Sequence, residues 1–378
     1  MTKASKIAVG LSGGVDSTVA ASLLKERGDE VVGVTMTLGR ADEAQALEET
    51  RRVAERLGIP LHVFDLSAAW RTNVLDNIRD TYLGGATPNP CVRCNETVKF
   101  GLLPKLAFEL GCDRFATGHY ARVGKRLEVR GKRLEVRGKR QEGRGERDEV
   151  GGMREEGRGK RDEGRGMRDE KGWLRRGVDK GKDQSYFLYR VRPEILARTE
   201  FPLGEMTKEA VRAKARELGL EVADRGDSQD FCGGDPMAVV GAAPREGDIV
   251  DAGGKVLGRH QGFWNYTIGK RKGLGIGGGI PYYVIGLDAV RNEVIVGYRE
   301  ETLVRRFEIA DVVRLADGWA GPLTVKVRSA GEPKGPVVWD GGAAVECPEG
   351  LAGVAPGQSA VFFDGDTIVG GGIIARTK

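Results

Sequence analysis

Two short strings hold the residue types best suited to covalent chemistry. TPNPCVRCNETVKFG, Thr87 to Gly101, carries Cys91 and Cys94 two residues apart, and VGLSGGVDSTVA, starting at Val9, packs Gly and Ser around Asp16. A thiol pair at that spacing can clamp a metal, cycle as a redox dithiol or present one nucleophilic thiolate. A Gly/Ser-rich turn between a strand and a helix lets backbone N–H groups converge on an anion, and the helix N-terminus adds its partial positive charge. Ser12 and Ser17 add hydroxyl donors.

The second string is not a dinucleotide fingerprint, because GxGxxG is absent, nor a Walker loop, because no Gly-Lys-Ser/Thr closes it. A tight turn that happens to be rich in Gly and Ser is the bland alternative. SGGVDS instead resembles the pyrophosphatase loop of ATP-dependent adenylating enzymes. That resemblance implies that Gly10, Leu11, Ser12, Gly13, Gly14, Val15, Asp16 and Ser17 hold the phosphates of ATP. It also implies that ATP is cut between its α- and β-phosphates. A substrate oxygen becomes an adenylate, and a second nucleophile then displaces AMP. A thiolate suits that second step.

The elements that must position these residues alternate. Lys6–Gly10, Glu30–Met36, Pro60–Leu66 and Asp113–His119 read as strands, and 16–27, 41–57 and 95–110 as helices, the last with Val98, Leu102, Leu106 and Leu110 as an i, i+4 stripe. Strand–helix repeats imply a parallel sheet covered on both faces, with ligands beyond the strands' C-terminal ends. A helix is expected over Met206–Leu220, with Thr207 as N-cap. From about Gly247 the chain turns Gly-rich with short runs such as YYVIGLDAV, NEVIVGY, LTVKVRS, SAVFFDG and TIVGGGIIA, the texture of a small β-barrel. The expected organisation is α/β: residues 1–203 as the nucleotide domain, 204–255 as a central linking module carrying Cys232, and 256–378 as the barrel.

Gly124 to Gly172 is a heptad repeat of seven copies, GKRLEVR to GMRDEKG, with 17 basic and 12 acidic residues, while the rest of the chain balances at 43 of each. The net charge of +5 therefore belongs to the repeat and says nothing about an RNA-binding surface elsewhere. Each copy opens with Gly, and the apolar positions fade after two copies, which argues against a coiled coil. A solvated loop expansion is expected, its first two copies extending a hairpin; an auxiliary RNA-binding arm is the alternative. No run approaches ~18 apolar residues, so no membrane span is expected. The start, MTKASKIAVGLSGG, has no signal-peptide pattern, and five scattered cysteines argue against a disulfide framework. Both point to the cytoplasm.

Nine strings in order carry a closer resemblance: SGGVDS, TPNPCVRCN, VKFG, ATGHYAR, KDQSYFLY, FPLGEMTKEAVR, DSQDFC, YTIGKRKGLG and PGQSAVFFDGD-TIVGGG. Together they resemble the tRNA-specific 2-thiouridylases, which replace the carbon-2 oxygen of the wobble uridine with sulfur. The resemblance spans nearly all of the chain except the heptads. It implies ATP with Mg2+, further ATP contacts at Met36 and Gly118, and a target-base segment at Asn89, Pro90 and Cys91. It implies tRNA contacts at His119, at Lys182, Asp183 and Gln184, at Arg328 and Ser329, and at Gln358. Ser329 stands where the family usually has Tyr, which removes an aromatic platform. Cys94 matches the family nucleophile and Cys232 the persulfide carrier, so a cysteine-desulfurase system or sulfur relay protein is the implied donor. Closing a Cys94–Cys232 disulfide needs their Cα atoms within ~7 Å.

Alternatives follow from the thiols. Zinc needs four closing ligands, whereas Cys91, Cys94 and Cys232 are three and His62, His119 and His260 have no ligand spacing. A [4Fe-4S] cluster on those three cysteines, with one open iron, stays open as a route for the same reaction. Cys91 has no task in a pure persulfide scheme. Met36 has an ordinary core reading. Lys270, Arg271 and Lys272 read either as a phosphate-contacting loop or as a solvated charge run. Cys112 and Cys347 read as ordinary thiols. Two other functions remain: an amide-forming ligase with the same loop, and a non-catalytic RNA binder that senses ATP.

Overall fold

The computed structural model describes residues 5–124, 173–220, 236–277, 279–316, 318–319 and 321–377. Along the first part run β1 (Lys6–Gly10), α1 (Val15–Glu26), β2 (Glu30–Thr37), α2 (Glu43–Leu57), β3 (Leu61–Asp65), α3 (Ser67–Trp70), α4 (Asp76–Leu83), α5 (Pro90–Cys94), α6 (Leu103–Glu109), β4 (Arg114–Thr117) and β5 (Ala121–Gly124). The chain resumes with β6 (Trp173–Arg176), α7 (Pro193–Ala197), β7 (Thr199–Glu200), α8 (Lys208–Glu217) and α9 (Pro236–Val240). Ten further strands follow: β8 (Gly247–Asp251), β9 (Val256–His260), β10 (Tyr283–Asp288), β11 (Glu293–Gly297), β12 (Leu303–Arg314), β13 (Leu323–Lys326), β14 (Lys334–Trp339), β15 (Ala344–Ala352), β16 (Ser359–Asp364) and β17 (Thr367–Thr377).

The first sheet is parallel, in the order β3-β2-β1-β4-β7, as the alternating pattern requires. β1 lies at its centre, and Ile7, Ala8 and Val9 are fully buried between the helix layers. α2 stops where Gly58 takes a left-handed φ of 59°, a conformation that costs glycine little. On α1, Val15, Val19 and Ala20 pack against Val211, Ala215 and Leu220 of α8 and its exit. Thr207 caps α8 as expected, its hydroxyl accepting from Ala210 N at 3.2 Å. Residues 207–220, expected in a separate central module, thus share the core of the first domain.

Two local expectations are corrected. The single helix expected over 95–110 is two pieces. A π-helical turn, Asn95–Lys99, continues α5, and α6 begins only at Leu103, with Pro104 in its first turn. Proline lacks the N–H that would continue the earlier ladder. Second, the chain from 256 is not one barrel. β8 to β11 form a four-stranded sheet, β10-β11-β8-β9, whose β8–β9 hairpin spans the expected boundary at 255/256. The expected C-terminal barrel is present as β12-β15-β14-β13-β16-β17, closed by β12 pairing with β17. Phe307, Ile309, Val325, Trp339, Val345 and Phe362 fill its interior.

Apart from Gly124, the heptad repeat lies outside the described residues, and the described residues on either side of that gap pair with each other. β5 and β6 are antiparallel, with Gly124 opposite Trp173. This hairpin extends the barrel, because β6 pairs with β17 at Arg175 and Thr367. The first domain is thereby stitched to the C-terminal one through main-chain bonds.

Candidate active site

The anion loop leaves β1 at Gly10 and enters α1 at Val15. Gly13 has φ 73° and lies against Thr50 of α2, a turn that side-chain-bearing residues rarely make. Ser12 N donates to Ser17 Oγ at 3.2 Å, and the two hydroxyls lie 3.2 Å apart, so both serines face one spot at the helix N-terminus. Leu11 is buried beneath the turn. Asp16 faces away from that spot. Lys208 Nζ reaches its two oxygens at 2.8 and 2.9 Å, and Tyr120 OH donates to it at 2.7 Å. The loop carboxylate therefore anchors α1 to α8 and to the residues that follow β4.

Gly118 closes the other side. A Cβ there would sit 2.7 Å from Ser17 N and from the Asp16 carbonyl carbon, so only glycine lets this strand end touch the first turn of α1. Met36, at the end of β2, is half-buried and packs on the cluster of Trp70, Val74, Ile78, Cys94 and Val98. All three features lie at the C-terminal edge of the parallel sheet, where such folds bind ligands.

The thiols lie on α5. Asn89 caps it, its Oδ1 accepting from Val92 N at 3.3 Å, and Pro90 supplies the preset first turn. Cys94 is fully buried in the cluster with Trp70, while Cys91 is half-buried. The π turn after Cys94 ends at Lys99, whose charge acts on the thiol of Cys91. Burial pushes the Cys91 thiol up, and the Lys99 charge pulls it partly back. Burial in turn lowers Lys99, while Cys94 and Cys91 hold it up. His119, next to Gly118, is buried between Phe100 and Phe201, with Thr117 Oγ1 2.8 Å from its Nδ1. Burial, with Lys99 nearby, holds it neutral well below the ordinary histidine value of 6.5. One strand end, Gly118-His119, so touches the anion loop on one side and the surroundings of the thiols on the other.

The remaining expected positions divide. In the turn after β6, Lys182 is exposed, but Asp183 and Gln184 are spent on the protein itself. Asp183 accepts from Arg176 at 3.1 Å and from the N–H groups of Gly177 and Ser185, and Gln184 accepts from Tyr120 N at 3.0 Å. Arg328 and Ser329 are exposed just past β13. Arg176 joins the two regions, since it also holds Glu332 at 2.8 Å. Gln358 donates to the carbonyls of Thr87 and Pro88. Arg271 and Lys272 are exposed in their loop, while Lys270 turns back to Asn265 O at 2.9 Å. His260 is buried, bonded to Asn292 O and Gly262 N. Cys112 and Cys347 are buried, and burial raises the latter's thiol to about 11.

Cys232 and the rest of DSQDFC lie outside the described residues. Among the described residues no three His, Cys, Asp or Glu side chains converge to hold a metal. None of their helices is long and apolar enough to cross a membrane. Sequence reasoning assigned no role to Lys99, Tyr120, Arg176, Tyr186 or Lys208. Lys99 and Tyr186 lay inside strings already singled out, VKFG and KDQSYFLY, but only the turn geometry shows what they face.

A parallel sheet ending in a Ser/Gly anion loop, with a thiol helix at the same edge, defines an ATP-using enzyme of the PP-loop class. Residues 5–144 and 157–233 match the family model described as tRNA methyl transferase HUP domain, 240–298 the tRNA methyl transferase PRC-barrel domain, and 312–374 the Aminomethyltransferase beta-barrel domain. The tRNA-specific 2-thiouridylase MnmA of Trichormus variabilis is 39% identical, covering 98% of this chain and 99% of its own. Those of Zymomonas mobilis and Geobacter metallireducens are each 40% identical, over 99% and 98% of this chain and 94% and 96% of theirs. The chain belongs to the tRNA-specific 2-thiouridylase family. Among solved structures, a 4-thiouridine synthetase–RNA complex with bound ATP matches 60% of this chain and 44% of its own, at 18% identity and TM-score 0.36. The NMN synthetase from Francisella tularensis matches 63% of this chain and 76% of its own, at 14% and 0.31. Both likenesses are too slight to bear on this chain.

Proposed function

We propose that this chain is an ATP-dependent tRNA-uridine 2-sulfurtransferase. The observation that carries the reading is the Gly118-His119 strand end, which touches the anion loop through Gly118 and, through His119, Phe100 just beyond the π turn that follows the thiol helix. The family models bear methyl-transferase names, but an ATP loop facing a thiol pair suits activation followed by sulfur transfer. Ser12, Ser17 and the N–H groups of residues 12–17 hold the ATP phosphates, accompanied by Mg2+ on the phosphates themselves. Asp16 is already committed to Lys208 and Tyr120. The uridine O2 attacks the α-phosphate, releasing pyrophosphate and forming the O-adenylate.

Sulfur then enters as a persulfide on Cys232, charged by an external cysteine-derived donor such as a desulfurase or relay protein. Its terminal sulfur bonds to carbon 2 as AMP leaves. Cys94 thiolate attacks the inner sulfur of Cys232, releasing the 2-thiouridine and leaving a Cys94–Cys232 disulfide, which a dithiol reductant reopens. Because Cys94 is fully buried, this step requires α5 and its cover to open. Lys99 supports thiolate character on the helix. Asn89, Pro90 and Cys91 meet the base. Lys182, Arg328, Ser329, Arg271 and Lys272, all exposed, contribute the RNA-facing surface. The first domain activates, and the four-stranded sheet and the barrel hold tRNA. In the cluster variant of this reading, Cys91, Cys94 and Cys232 would ligate the iron, and the cluster would carry the sulfur.

The test is direct. With ATP, unmodified tRNA and a persulfide donor, the protein yields 2-thiouridine by mass spectrometry of digested tRNA, and Cys232→Ser yields none. Full activity in Cys232→Ser overturns the persulfide assignment. AMP release without thiolated product would favour a ligase. Cys91→Ser retains activity if the persulfide route holds and loses it, together with bound iron after anaerobic purification, if the cluster does.

A further inference from the structure

The barrel reaches into the active site at one turn. Residues 356–359 precede and begin β16, and three main-chain bonds pin them: Gln358 N to Ala355 O at 3.1 Å, Gly357 N to Ile374 O at 2.8 Å, and Ile374 N to Gln358 O at 2.8 Å. This turn grips the segment leading into the thiol helix. Thr87 N donates to Pro356 O at 2.8 Å. Gln358 Nε2 donates to Pro88 O at 2.7 Å and to Thr87 O at 3.3 Å. Gly357, at φ 88°, lies so close that a Cβ would sit 2.6 Å from Thr87 O. The four-stranded sheet adds a third hold, through the paired hydroxyls of Thr87 and Thr267.

A second path runs from the same turn to the helix cap. Tyr186 OH donates to Ser359 O at 3.0 Å and accepts from Asn89 Nδ2 at 3.1 Å. Burial keeps this phenol protonated, so it stays a donor. Asn89 Oδ1 then caps α5 at Val92 N.

We propose that Gln358 is a positioning residue for the thiol helix: by holding Thr87 and Pro88 it sets the Asn89 cap and thereby the placement of Cys91 and Cys94. The chemistry of the amide argues for this over a contact with an RNA phosphate. A glutamine nitrogen carries two hydrogens, and both are directed at main-chain carbonyls. Reversing the amide would set its oxygen against those two carbonyl oxygens. The oxygen that remains is an acceptor, which cannot pair with phosphate. The catalytic consequence rests on the proposed sulfur transfer, whereas the positioning itself does not.

The test uses the full chain with Gln358→Ala and Gln358→Glu. Iodoacetamide labelling of the Cys91–Cys94 peptide, without tRNA or ATP, is followed by mass spectrometry. Losing one such pair of hydrogen bonds loosens the helix entry, so labelling is expected to accelerate by about fivefold. tRNA affinity by direct titration should stay within about twofold, while single-turnover thiolation slows by about tenfold, a fall in rate rather than in binding. Tyr186→Phe, which cuts the second path at a different residue, should accelerate labelling in the same direction. Unchanged labelling in the soluble variants overturns the proposal, whatever happens to thiolation. If wild type forms no 2-thiouridine, the functional reading fails while the labelling still decides the positioning.

Discussion

At the scale of single residues, the site works through electrostatic neighbours more than through the thiols alone. Burial pushes the Cys91 thiol toward its protonated form, and the Lys99 charge offsets part of that cost. Lys99→Met is therefore expected to move the pH midpoint of Cys91 alkylation upward. That upward move would slow labelling near neutral pH, where less thiolate would be present. An unchanged pH profile would remove Lys99 from the account. The thiol pair was legible in the sequence because its spacing is local. Its charged neighbour was not, because a regular helix over 95–110 would have spread Cys91, Cys94 and Lys99 differently. The π turn is a departure that periodicity does not encode.

At the scale of elements, the decisive contact is the strand end at Gly118 against the first turn of α1. The sequence shows a glycine in ATGHYAR but not what it must approach. Adding one methyl group at a 2.7 Å backbone distance forces the strand or the loop to move. Gly118→Ala is expected to weaken ATP binding by about tenfold or more and to destabilise the fold by about 1–3 kcal/mol. Calorimetric titration with ATP and thermal melting check the two effects separately. Normal ATP affinity in that variant would mean the loop does not depend on the contact. The strands of the parallel sheet and the helices α1 and α2 followed their periodicity closely, whereas the stretch 95–110 did not. Residues 67–83 supply Trp70, Val74 and Ile78, which share a buried cluster with Cys94. Their burial depends on what lies opposite them, not on a pattern within the segment.

At the scale of the whole molecule, two of the connections between the nucleotide domain and the rest bear on the predictions. One is the β5–β6 hairpin joined to β17, and the other is the turn at 356–359 gripping Thr87 and Pro88. The heptad repeat sits between two residues that are already paired, Gly124 and Trp173. Replacing residues 125–172 by Asn-Gly, which suits a two-residue hairpin, should leave the melting temperature within a few degrees and thiolation nearly intact. A loss of more than about tenfold in tRNA affinity on that deletion would favour the alternative of an RNA-binding arm.

By itself, the sequence determined what is local or periodic: the anion loop between strand and helix, the thiol pair, the parallel α/β order and the Gly-rich β texture. These depend on neighbouring residues and on side-chain repeats of 2 or 3.6. Only the tertiary structure decided that the β region is a four-stranded sheet plus a closed barrel, that α8 belongs with α1, and that Gln358 faces Pro88 and not open solvent. Those outcomes rest on pairings between residues far apart in the chain. An amide's available partners, like a glycine's available space, are set by what the fold brings opposite it.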